Sequence, residues 1–84
     1  MNSKQQKTIL AIFKSPTNGN LEWAQVESLL KSLGCAVIEG SGSSVTFELN
    51  GKRAYFHRPH PQKEALKYRV KAVKAFLISI GVKP

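Results

Sequence analysis

The sequence predicts an α+β fold: a three-stranded antiparallel sheet with helices packed on one face, preceded by an N-terminal helix. Three observations carry this. Apolar residues recur at helical spacing in residues 7–14, 22–33 and 63–80. Between the second and third of these lie alternating runs joined by Asn50-Gly51, the strongest short-range hairpin signal. The 84 residues are enough for one domain of two or three layers and no more.

The first helix places Ile9, Ile12 and Phe13 on one face between Lys7 and Lys14, and Ser15-Pro16-Thr17-Asn18-Gly19-Asn20 breaks the pattern. Asn20 is a suitable N-cap for the next helix, Glu22 to Leu33. There Trp23, Val26, Leu30 and Leu33 share a face with Leu29 at its margin, and Gly34 is the expected stop. Trp23 could be a base-stacking platform, but at the start of an amphipathic helix it reads as core. Cys35 to Glu39 is a short β-prone run and forms the first strand.

Ser44 to Leu49 alternates in polarity, and a two-residue Asn50-Gly51 loop fixes its pairing with the following strand. Leu49 then faces Lys52, Glu48 faces Arg53, Phe47 faces Ala54, Thr46 faces Tyr55, Val45 faces Phe56 and Ser44 faces His57. Val45, Phe47, Leu49, Ala54 and Phe56 form the core face, whereas Ser44, Thr46, Glu48, Arg53, Tyr55 and His57 form the outer one. The prolines of Arg58-Pro59-His60-Pro61 remove ladder donors and make a stiff, extended exit. The last helix, from about Lys63 to Ile80, buries Leu66, Val70, Val73, Leu77 and Ile80, with Phe76 beside this stripe. Lys67, Lys71 and Lys74 share a flank, and Gly81 caps the end.

Composition limits the function. Hydrophobic residues make up 42% of the chain, which is enough for a globular core, and no apolar run approaches membrane-spanning length. The N-terminal residues lack a signal peptide's apolar stretch, and the single Cys35 excludes an internal disulfide, so a reducing cytoplasm is expected. One cysteine and two histidines are too few for a closed zinc site, so neither metal nor cofactor is expected. Net charge is +8, and residues 1–51 contribute none of it, since four Lys balance four Glu. Residues 52–84 carry nine Lys plus Arg against Glu64 alone, the footprint of a polyanion-binding face.

The order of elements and several local strings resemble the HicA toxin family, whose members are small basic proteins with a double-stranded-RNA-binding-domain-like (dsRBD-like) fold. The strings are Leu29-Leu30-Lys31-Ser32-Leu33-Gly34, Gly42-Ser43-Ser44, the Asn50-Gly51 hairpin, His57-Arg58-Pro59-His60-Pro61 and Phe76-Leu77-Ile78-Ser79-Ile80-Gly81. The resemblance runs from about Trp23 to Val82 and divides the single domain, 1–84, into an N-terminal helical extension (1–21) and a family core (22–82). It implies an RNA-binding toxin, an endoribonuclease acting on mRNA, neutralised by a HicB-type antitoxin. The family pattern on the second strand is Gly-Ser-His, with the histidine implicated in cleavage. Here Ser44 occupies the histidine position.

Metal-independent RNA cleavage needs groups that exchange protons with the ribose 2′-OH and the leaving oxygen, work that suits histidine at neutral pH. His57, across from Ser44, is the candidate for a catalytic imidazole moved one strand over, with Arg53, Tyr55 or Arg58 steadying the phosphate. The plainer reading makes His57 a surface residue of a protein that binds RNA without cutting it. His60 is a second acid or base, or a residue that caps or packs the following helix. Gly40-Ser41-Gly42-Ser43-Ser44 lacks the lysine, spacing and following helix of a P-loop, and reads as a flexible loop whose polar residues, Ser43 among them, can touch a backbone phosphate. Lys67, Lys71 and Lys74 are candidate phosphate contacts; the alternative is a solvated helix face. Two further classes stay open: a non-catalytic RNA-binding module, and a protein-interaction domain whose basic face docks an acidic partner.

Overall fold

The computed structural model describes residues 3–17, 20–59, 65 and 67–84, and its elements follow the predicted order. They are α1 (Ser3–Phe13), α2 (Trp23–Ser32), β1 (Ala36–Glu39), β2 (Ser44–Leu49), β3 (Lys52–His57) and α3 (Lys67–Ser79). His60, Leu66 and the expected start of the last helix at Lys63 lie outside the described residues.

The strands form one antiparallel sheet in the order β1-β2-β3. Asn50 (φ 53°) and Gly51 (φ 78°) both adopt the left-handed backbone that a type I′ turn requires. The β2–β3 register follows from that turn, and all six expected pairs form, from Leu49↔Lys52 to Ser44↔His57. On β1, Ile38 pairs with Thr46 and Ala36 with Glu48. The outer face therefore carries the rows Ile38–Thr46–Tyr55 and Ala36–Glu48–Arg53, with Ser44–His57 at the loop end.

The helices cover the opposite face. Val45, Phe47 and Phe56 from the sheet join Val26, Leu29 and Leu30 of α2 and Val70, Val73, Phe76 and Leu77 of α3 in one core. Phe56 is its aromatic hinge, 5.3 Å from the Trp23 ring centroid and 6.1 Å from that of Phe47. Trp23 is 5% exposed, which places it in the core as expected and not on a stacking surface. Leu49, Ala54 and Ile80 are partly buried against the cluster.

Three details depart from the sequence reading. α1 starts at Ser3, not Lys7, and the Lys4 carbonyl in the added turn accepts the hydroxyl of the buried Thr8 at 3.1 Å. The N-cap of α2 is Glu22, not Asn20: Gln25, three residues on, accepts the Glu22 N–H at 3.2 Å. Leu29 is fully buried within the core, whereas Leu33, the C-cap residue of α2, is only half-buried at its edge. Both helix stops hold. Gly34 and Gly81 take positive φ, and the bonds Cys35 N–H to Leu30 O (3.1 Å) and Val82 N–H to Leu77 O (2.9 Å) close the last turns.

The N-terminal helix packs on both α2 and α3. Ile9 and Ile12 are 3% and 1% exposed within the shared core, so the extension is part of the fold's interior. No helix among the described residues is long and apolar enough to cross a membrane.

Candidate functional site

The outer sheet face and the β3–α3 edge bring together most of the sequence-predicted site residues. Ser44 and His57 stand directly opposite each other, as the register requires. His57 is exposed, and its imidazole has no hydrogen-bond partner among the described residues. Ser44 does not reach toward it: its hydroxyl donates to the Ser41 carbonyl at 2.8 Å. This bend is possible because residue 40 is glycine, since a Cβ there would lie 2.1 Å from Ser44 Oγ. The loop is a closed turn: Gly40 N–H donates to Ser44 O (3.0 Å) and Ser44 N–H to Ser41 O (3.2 Å). Ser43 is exposed at its tip, and its carbonyl accepts the Arg58 N–H at 2.9 Å.

The two arginines of the sheet are engaged by carboxylates. Arg53 Nε donates to Glu48 Oε2 at 2.6 Å across the β2–β3 pair. Glu48, and then the Tyr55 phenol, hold the Arg53 guanidinium more firmly protonated than usual. Arg58 bridges two glutamates with both edges of its fork. Its Nη1 and Nη2 donate to Glu39 at 2.7 and 3.0 Å, and its Nε and Nη2 donate to Glu27 at 2.6 and 3.2 Å. Glu39 first and Glu27 second raise the Arg58 pKa far beyond its ordinary value. The Trp23 indole N–H also donates to Glu27, so one carboxylate joins α2, the aromatic core and the end of β3. Two edges of the Arg58 guanidinium are thus occupied by glutamates in a structural clamp, and as arranged neither is open to a phosphate.

Among the described residues, several cations of α3 form no salt bridge. Lys67 and Lys71 are exposed, Arg69 is half-buried, and none of the three has a carboxylate partner among the described residues. Lys74 differs from its two helical neighbours: it is half-buried and its Nζ stands 5.7 Å from the Phe13 ring centroid on α1. His60 lies outside the described residues. Among the described residues no group of three or more His, Cys, Asp or Glu could hold a metal ion.

Two residues that the sequence reading passed over belong to this surface. Tyr68 and Arg69 line a groove of about 140 Å³ together with Tyr55, Phe56, His57 and Ala72. A signal was present: Tyr68 falls off the Val70–Val73–Leu77 stripe, and an aromatic side chain on the polar side of an amphipathic helix is left in water. Glu27 was also missed. It sits one helical turn after Trp23, but its partner Arg58 is 31 residues away and only the fold joins them.

No curated protein and no solved structure matches the chain at a significant level. The family model described as the HicA toxin of bacterial toxin–antitoxin systems matches residues 23–82, which begin at the first residue of α2 and end just past the glycine that caps α3. With more than half of the sequence covered, the chain belongs to the HicA toxin family.

Proposed function

We propose that this toxin acts on messenger RNA, cleaving it with His57 as the proton-transfer group, and that a HicB-type antitoxin neutralises it in the bacterial cytoplasm. The observation that carries the proposal is the Ser44–His57 pair. The family's histidine position holds Ser44, and the directly opposed strand residue is an exposed imidazole. His57 accepts the ribose 2′-OH proton as O2′ attacks the adjacent phosphorus, the bond to the 5′ oxygen breaks, and water protonates the leaving oxygen. Lys67 and Lys71, which have no carboxylate partner among the described residues, and Lys74 beside them supply sequence-independent attraction to the backbone.

A second reading has its own observation. His57 lacks an orienting partner among the described residues, and Ser44 Oγ is committed to Ser41, an arrangement that suits a protein that binds RNA and blocks it without cutting. Incubating the purified protein with single-stranded and duplex RNA, with and without EDTA, separates the readings by gel shift and cleavage. The proposal expects EDTA-resistant cleavage that disappears in His57→Ala. A gel shift without cleavage selects the binding module, and neither signal selects a protein-docking role for the basic face.

A further inference from the structure

The groove between β3 and α3 has the composition of a nucleobase site. Its β3 wall presents Tyr55, 73% exposed, and its α3 wall presents Tyr68, 62% exposed. These are the two most exposed large hydrophobic side chains among the described residues, and each comes from a different element. A tyrosine left in water on both sides of one cleft is not explained by packing: the core closes over Trp23, Phe47 and Phe56 without either ring. Neither ring stacks on another aromatic side chain among the described residues.

Among the described residues, the groove lining holds the Arg69 guanidinium and the His57 imidazole and no carboxylate. The Arg69 guanidinium is held 5.1 Å from the Tyr68 ring centroid, which fixes a cation at the groove wall beside an aromatic face. Lys67 and Lys71 flank the same stretch of α3. The strand side adds backbone groups. Arg58 N–H bonds to Ser43 O, so by antiparallel alternation Tyr55 and His57 belong to non-hydrogen-bonded pairs. Their peptide groups point away from β2, toward the open edge where the groove lies.

We infer that this groove binds one unpaired nucleotide of a single-stranded RNA, the base against Tyr55 and Tyr68 and the adjoining phosphate against Arg69. A splayed base offers a π-face for the two rings and polar edges for the β3 peptides, whereas a base inside a duplex offers neither. His57 on the same wall would then face the sugar–phosphate next to the held base. The inference rests on the RNA reading above and adds strandedness and a position.

The test uses the full chain and a short single-stranded RNA carrying one 2-aminopurine, with a duplex of the same sequence as comparison. Anisotropy reads affinity, and 2-aminopurine fluorescence reads stacking. Expected are quenching with the parent protein, a preference for the single strand, and a loss of about tenfold in affinity with quenching abolished for Tyr55→Ala or Tyr68→Ala. Tyr68→Phe keeps both signals, which separates stacking from a hydroxyl contact. Circular dichroism of each variant confirms the fold, since both side chains lie outside the core. Parent binding that is undiminished in both alanine variants, or tighter to duplex, overturns the groove and leaves RNA binding standing. No binding to either RNA overturns both.

Discussion

Arg58, just past the end of β3, and Glu27 in the middle of α2 form a two-pronged ion pair, Nε to Oε2 at 2.6 Å and Nη2 to Oε1 at 3.2 Å. The Glu27 side chain is 13% exposed and the Arg58 side chain 30%, so this pair is partly withdrawn from water and tied to the Trp23 indole. Removing Glu27 leaves the indole N–H and the Nε edge of the guanidinium without their acceptor, and the cost of such orphaned donors exceeds the worth of the pair itself. Glu27→Ala is expected to lower unfolding free energy by about 2–3 kcal/mol. Arg58→Ala is expected to lose stability too, because it leaves the partly withdrawn Glu27 carboxylate without its ion partner. Urea denaturation of both variants checks this; an Arg58→Ala protein as stable as the parent would contradict the clamp.

Glu39 completes the clamp from the solvent side, and its consequence is a pH dependence. The hydrogen bond from Arg58 holds the Glu39 carboxyl below the ordinary glutamate range, with the charges of Arg58 and Lys31 adding to it. A depressed carboxyl contributes stability that is present above its unfolded-state pKa, about 4.3, and is lost as pH falls through the lower folded-state value. The parent should therefore lose this contribution below about pH 4, and Glu39→Gln should show a shallower decline over that window. Because Glu39 is 65% exposed, added salt should shrink the difference. Stability curves of parent and variant that stay parallel from pH 6 to pH 3 would rule the effect out.

The sheet was legible in sequence because its information is local. Asn50-Gly51 dictates a turn, the turn dictates a register, and every β2–β3 pair follows, including Ser44 opposite His57. Side-chain engagement was not legible, because it depends on residues distant in sequence. Arg58 reads as a phosphate ligand until the fold delivers Glu27 and Glu39, which lie 31 and 19 residues away. Lys74 reads as the equal of Lys67 and Lys71 until α1 brings Phe13 beneath it. The Tyr55–Tyr68 groove joins a strand to a helix, so no single periodic pattern could disclose it.

The N-terminal helix lies outside the matched family region, yet its Ile9 and Ile12 are in the common core. Ile12 is 1% exposed, and truncating a fully buried isoleucine removes transfer energy and leaves a cavity. Ile12→Ala should cost about 2–5 kcal/mol, and deletion of residues 1–14 should leave the remainder largely unfolded. Thermal denaturation followed by circular dichroism distinguishes this from a dispensable appendage, for which both proteins would melt near the parent.

Ser44 is the position where the functional reading can be moved in the positive direction. Its side chain lies over Gly40 on the outer sheet face, in the space that a Cβ at residue 40 would otherwise fill. Ser44→His would restore the family's Gly-Ser-His string and place a second imidazole opposite His57. With one imidazole as base and the other as acid, both proton transfers of transesterification are served by the protein, and a positioned acid or base accelerates cleavage by about 10²–10⁴-fold. A gain of about 100-fold in the single-turnover rate on single-stranded RNA is expected, with a bell-shaped pH profile in place of a single limb. Ser44→His, His57→Ala should return to a single limb. If Ser44→His alone and Ser44→His, His57→Ala cleave at equal rates, the strand-to-strand pair does not act as a unit and His57 has no part in the chemistry.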